Sequence, residues 1–181
     1  LTTINGLIGI DLSAISFDHN DHLWIGGSSP IGFLQIYDPI NNNMFLASKG
    51  GGAWCNNIKL NTINNLALSE MTGSVGFKRR NSLFSYHSKF KSITPRRLIR
   101  YRCLGMEYVD LARGNLHFAE YNFLKPWDHA AGILIMEEAG GRGAYVDTYK
   151  PYSPGPIMNN RFLATYRDEI WQDISDYLKV E

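Results

Sequence analysis

Lys125-Pro126-Trp127-Asp128-His129-Ala130-Ala131-Gly132-Ile133-Leu134-Ile135-Met136-Glu137-Glu138-Ala139-Gly140-Gly141 is the stretch that decides how the chain is read. Pro126 stops whatever precedes it, and Asp128 is well placed to cap a new helix. Residues 129 to 139 carry small and apolar side chains on nearly every face, the composition of a helix buried on several sides. Gly140-Gly141 supplies a left-handed exit. One carboxylate is thereby fixed at the mouth of a buried helix.

Downstream, Gly143-Ala144-Tyr145-Val146-Asp147 and Phe162-Leu163-Ala164-Thr165 read as strands, separated by a stiff loop with Pro151, Pro154 and Pro156. A last helix is predicted near Asp168 to Leu178, with Ile170, Trp171, Ile174, Tyr177 and Leu178 on one face. Upstream, Met106 to Arg113 is a helical run ended by Gly114, and Asn115 to Tyr121 is strand-like. Ser82 to Phe90 reads as a helix and Ser74 to Phe77 as a strand. The basic clusters Lys78-Arg79-Arg80 and Arg96-Arg97 read as a solvated face, one that could also serve as a cationic rim attracting a phosphate dianion.

Gly32 to Tyr37 and Met44 to Ser48 form a predicted hairpin around Asp38-Pro39 and Asn41-Asn42-Asn43, with Asp38 a turn residue. Gly50-Gly51-Gly52 is either a phosphate-binding nest or a sharp bend between strands, and the bend is the commoner use. Leu7 to Leu12 is compatible with helix or strand. Asp18 to His22 reads as a solvated turn, because adjacent residues in a turn cannot all face one metal ion. Leu23-Trp24-Ile25 looks like a strand that breaks off at Gly26.

Trp127-Asp128-His129-Ala130-Ala131-Gly132 followed by Glu138-Ala139-Gly140-Gly141 resembles the C-terminal signature of the inositol monophosphatase family, metal-dependent phosphomonoesterases. The segment from Gly32 to Asn57, with its strand, turn, strand and Gly-Gly-Ala pattern, is similar to the same family, and the resemblance runs to Glu181. It implies an α/β fold, the layered α/β/α/β/α sandwich of the sugar phosphatases. It implies a single domain over residues 1–181, fragmentary over 1–31 and clearly family-like over 32–181. Counted back from Asp128, Arg102-Cys103-Leu104 falls on the family's Gly-Ser-Ala or Gly-Thr-Ala segment, which makes these residues substrate-binding candidates. The same count puts Tyr121 where characterised inositol phosphatases carry a Glu that holds a sugar-type hydroxyl. Glu120 is adjacent and, on a strand, points to the other face, so Tyr121 is the substrate-side residue.

In the family Asp128 would be a magnesium ligand and therefore catalytic. A single carboxylate cannot build the six-oxygen shell of Mg2+. The family's other ligands, an upstream Glu and the pair of aspartates in Asp-Pro-Ile-Asp-Gly-Thr, have no counterpart in these residues. Asp38-Pro39-Ile40 continues into Asn41 and is not that motif. The 181 residues are therefore expected to join pieces of a longer chain, with a break near Gly26. The implied activity is Mg2+-dependent hydrolysis of a small phosphomonoester by metal-activated water. Inositol monophosphate, histidinol phosphate, a sugar phosphate and a nucleotide 3′-phosphate all remain open. The alternative is a catalytically inactive relative acting as a binding or regulatory subunit, and the family also suggests a homodimer.

Composition narrows the rest. Apolar content of 44% and charged content of 19% are those of a soluble globular protein. A net charge of +1 gives no reason to expect nucleic acid or an anionic membrane as partner. Two cysteines, Cys55 and Cys103, make no disulfide framework and fit a reducing cytoplasm. No apolar run reaches the length of a membrane span, and the first residues lack a signal-peptide pattern. No Gly-X-Gly-X-X-Gly or P-loop pattern supports a nucleotide-binding α/β domain.

Overall fold

A computed structural model describes residues 12–17, 23–27, 33–38, 40–62, 64–101, 103–154 and 160–179. The first sheet is an antiparallel meander in chain order: β1 (Leu12–Phe17), β2 (Leu23–Gly27), β3 (Phe33–Asp38), β4 (Asn43–Ser48), β5 (Gly52–Cys55) and β6 (Ile58–Lys59). The predicted β3–β4 hairpin is present, in register from Phe33↔Ser48 to Asp38↔Asn43. Asp38 holds its turn, accepting bonds from the Ile40 and Asn41 N–H groups at 3.0 and 3.3 Å. The expectation that the second strand breaks at Gly26 is corrected. β2 pairs with β3 through both glycines, as far as Gly27↔Phe33. Both the Leu7 to Asp11 part of the first ambiguous run and the Asp18 to His22 turn lie outside the described residues.

The second sheet comprises β7 (Thr72–Ser74), β8 (Arg97–Ile99), β9 (Phe118–Tyr121), β10 (Arg142–Tyr145) and β11 (Phe162–Thr165), in the order β10-β11-β9-β7-β8. The β8, β7 and β9 strands run parallel, whereas β9, β11 and β10 are antiparallel. Four helices are present among the described residues: α1 (Phe77–Phe90), α2 (Leu104–Arg113), α3 (Pro126–Glu138) and α4 (Trp171–Tyr177).

α3 packs on β3, β4 and β5 of one sheet and on β10 of the other, and lies against α2. This explains its all-round apolar sequence: it is the middle layer. Ile36, Phe45, Ala47 and Ala53 of the first sheet meet Val109 and Ala112 of α2 and Ile135 and Ala139 of α3. A larger cluster joins Tyr108, Leu111, Ile133 and Met136 to the second sheet and to Trp171 and Ile174 of α4. The approach of α2 to α3 depends on Gly132, where a Cβ would lie 2.3 Å from the Tyr108 ring. Gly140, at φ +105°, makes the predicted exit.

The two faces of the second sheet are told apart by neighbours on β9. Tyr121 stacks on Tyr108 of α2 and meets His129 of α3, whereas Glu120 pairs with Arg79 of α1. α2 and α3 therefore cover one face and α1 and α4 the other. Among the described residues the layers are sheet, helices, sheet, helices, four of the five expected.

The helix boundaries differ from the sequence expectation in all four helices: α2 begins at Leu104, ahead of Met106, and α3 at Pro126, ahead of Asp128. α1 begins at Phe77, so Phe77 is helical and not a strand residue, and the Ser82–Phe90 expectation covers only part of the helix. Lys78-Arg79-Arg80-Asn81 has no apolar periodicity to betray that first turn. The α4 helix proper is shorter than Asp168 to Leu178, because Ile170 is its N-cap.

Candidate functional site

The parallel strands β7, β8 and β9 end at Ser74, Ile99 and Tyr121, and α2 and α3 begin at Leu104 and Pro126. Carboxyl ends of strands meeting helix N-termini are where α/β sheets bind ligands. Asp128 sits at this junction. Lys125, not Asp128, is the N-cap of α3, so the expected capping role is corrected: Pro126 takes the first helical position and Asp128 the third. Asp128 is half-buried, in the favourable field of the helix N-terminus, and its carboxylate forms no hydrogen bond or ion pair among the described residues. A carboxylate spared from capping is available to a ligand.

The residue after it is clamped. His129 Nδ1 lies 2.8 Å from the Tyr108 hydroxyl. Burial pushes the imidazole down to about 4, keeping it neutral. Tyr108 and Tyr121 stack with centroids 5.4 Å apart, and His129 meets both edge-on. This aromatic group fixes the first turn of α3.

Beneath it lies Glu107 of α2, only 4% exposed. Burial pushes its carboxyl up to about 7, partly opposed by the hydroxyls of Ser74 and Tyr121. The Tyr121 hydroxyl is close enough to Glu107 and Tyr108 for each to raise its own ionisation further, yet it has no hydrogen bond of good geometry among the described residues. Glu107, Tyr108 and His129 were not singled out from sequence. The available signal was a Glu on the apolar face of a helical run, where a charged residue is seldom placed.

Of the other sequence candidates, Arg102 lies outside the described residues. Cys103 is the N-cap of α2 and half-buried, and Leu104, the first helical residue, packs against the core. Tyr121 is buried at the end of β9, on the Asp128 side of the sheet, while Glu120 faces away as expected. Among the described residues no three His, Cys, Asp or Glu side chains converge as a metal site, so Asp128 is at most one member of a ligand set. The Gly50–Gly52 bend is a small anion cradle filled from within: the N–H groups of Gly50 and Gly52 donate to the Glu138 carboxylate at 2.7 and 2.9 Å. The basic clusters do not rim this site. Arg79 is bound to Glu120 on the far face of the sheet.

Residues 32–175 match the inositol monophosphatase family. The chain is 30% identical over 142 residues to a fructose-1,6-bisphosphatase/inositol-1-monophosphatase of Thermotoga maritima, covering 77% of this chain and 51% of that protein. It is 31% identical over 157 residues to the Nus factor SuhB of Escherichia coli, covering 80% and 57%. The structure superposes on inositol monophosphatase-II of Staphylococcus aureus with a TM-score of 0.68 and 26% identity, over 88% of this chain and 62% of that one. The chain spans about half the length of the curated relatives it matches. The fold, the match over most of the chain and the Asp128 helix agree: the chain belongs to the inositol monophosphatase family.

Proposed function

We propose that the protein hydrolyses a small phosphomonoester with Mg2+, and that Asp128 is one ligand of the metal. The observation that carries this reading is the Asp128 carboxylate, held at a helix N-terminus at the strand ends and bonded to nothing among the described residues. Magnesium, when bound, would polarise the phosphate and lower the pKa of water. The chain's own contribution is positional. α3 aims the carboxylate, the Tyr108–His129 hydrogen bond holds the turn that bears it, and neutral His129 adds no charge beside it. Cys103 and Leu104, together with Arg102, would form the start of the substrate wall.

At Tyr121 this wall carries a phenol, and the nearest carboxyl behind it, Glu107, comes from α2 and titrates near neutrality. This favours a phosphorylated alcohol that does not demand an ionised carboxylate, so a sugar phosphate, histidinol phosphate or nucleotide 3′-phosphate comes ahead of inositol monophosphate. We read residues 1–181 as part of one domain that acts as a homodimer in the cytoplasm; no helix among the described residues is long and apolar enough to cross a membrane. A non-catalytic, regulatory relative is the second reading, favoured by the absence of a complete ligand cluster among the described residues. Phosphate release from a panel of phosphomonoesters by the full gene product, with and without Mg2+, separates the two. Metal-dependent release supports the phosphatase, and none from a folded protein supports the regulator.

A further inference from the structure

The basic clusters that do not reach the Asp128 site have a place of their own. Residues 71 to 106 hold half of the chain's 18 Lys and Arg residues and none of its 17 Asp and Glu, so the near-neutral total conceals a strongly segregated charge. On the α1 and α4 face of the second sheet, a cavity of about 610 Å³ opens between α1, the segment from Lys91 to Arg97 and Tyr177. That is the size of a small-molecule site. Arg80, Lys91, Arg96 and Arg97 line it, no carboxylate does, and none of the four is in an ion pair among the described residues. Serine and threonine hydroxyls from 88, 92 and 94 add neutral donors.

The floor is aromatic. His87 is 7% exposed and stacked on Tyr177, with ring centroids 4.3 Å apart, and its Nε2 donates to the Tyr177 carbonyl oxygen at 3.0 Å. Phe84, 74% exposed, stands on the wall as an unused aromatic face.

We infer that this cavity is a second ligand site, distinct from the Asp128 site, and that it takes a nucleoside diphosphate. The two phosphates match the four cations and the planar base matches Phe84. A lone orthophosphate would use the cations and leave the aromatic wall idle.

The test is calorimetric titration of the full gene product with ADP, pyrophosphate and inorganic phosphate. ADP is expected to bind more tightly than pyrophosphate, and pyrophosphate more tightly than phosphate. Replacing both exposed arginines, Arg96→Glu with Arg97→Glu, should weaken ADP at least about tenfold. Phe84→Ala should weaken ADP and leave pyrophosphate unchanged. Both variants should keep the wild-type melting curve, and ADP binding should persist in Asp128→Asn. No ADP binding, or binding that survives the double arginine substitution, would overturn the inference. So would ADP binding lost in Asp128→Asn, which would place the nucleotide at the other site. A change in sedimenting mass of the arginine variant with no change in ADP affinity would instead make the cavity a contact between subunits.

Discussion

Tyr108→Phe removes one oxygen atom and leaves His129 Nδ1 buried without its partner. The expected cost is about 1–3 kcal/mol in urea unfolding. Because the same bond holds the turn that carries Asp128, phosphate release should fall in parallel, chiefly in kcat. Glu107 makes a pH prediction. Its folded value of about 7 lies above the ordinary 4.5, so between those values the folded state binds more protons than the unfolded one. Its contribution to stability is intact below pH 4.5 and is lost as pH rises toward 7. His129, depressed to about 4, works in the opposite sense, with stability gained as pH rises from 4 to 6.5. Glu107→Gln should therefore gain on the wild type by up to about 3 kcal/mol between pH 4.5 and 7.5, measured as the difference of two urea midpoint series. A difference that is flat with pH would mean that Glu107 is ionised throughout. At this scale the sequence placed Asp128 at the start of a buried helix, because a long motif surrounds it. Glu107 and His129 were hidden, because their significance lies in contacts between α2, β9 and α3 that no local pattern records.

The elements were legible wherever burial imposes a period. β3, β4, β11 and α3 fall where alternation, or its absence, places them. The first turn of α1 escaped because its residues face solvent or, like Arg79, pair with a distant strand. Two interactions between elements follow from the geometry and can be measured. In α3, Gly132→Ala drives a methyl into the Tyr108 ring and should cost about 1–3 kcal/mol, with thermal unfolding as the readout. At the other end of that helix, Glu138→Gln removes the charge that holds the β4–β5 bend. Amide exchange at Gly50 and Gly52 should quicken by about tenfold or more, while the α3 interior amides keep their protection.

The whole molecule is organised by two sheets with α2 and α3 between them, and Glu120 ties the outer layer on. Arg79 of α1 donates to Glu120 at 3.1 Å and Arg161 at 2.6 Å, and both arginines also reach the Leu178 carbonyl at the end of α4. Glu120→Ala leaves two guanidinium groups without their buried counter-charge and should cost about 3–5 kcal/mol, with α1 and α4 loosening together. Layer order was readable only through family likeness, since strands and helices alternate here without a regular βαβ rhythm. Net charge says little at this scale, because a total near zero cannot report that all the charge of one segment has one sign. The decisive measurement is phosphate release by the full gene product, wild type against Asp128→Asn, across a magnesium titration. Release should rise with Mg2+ in the wild type and turnover should fall by at least about a hundredfold in Asp128→Asn, with an unchanged melting curve. Equal turnover in the two proteins would contradict Asp128 as a metal ligand.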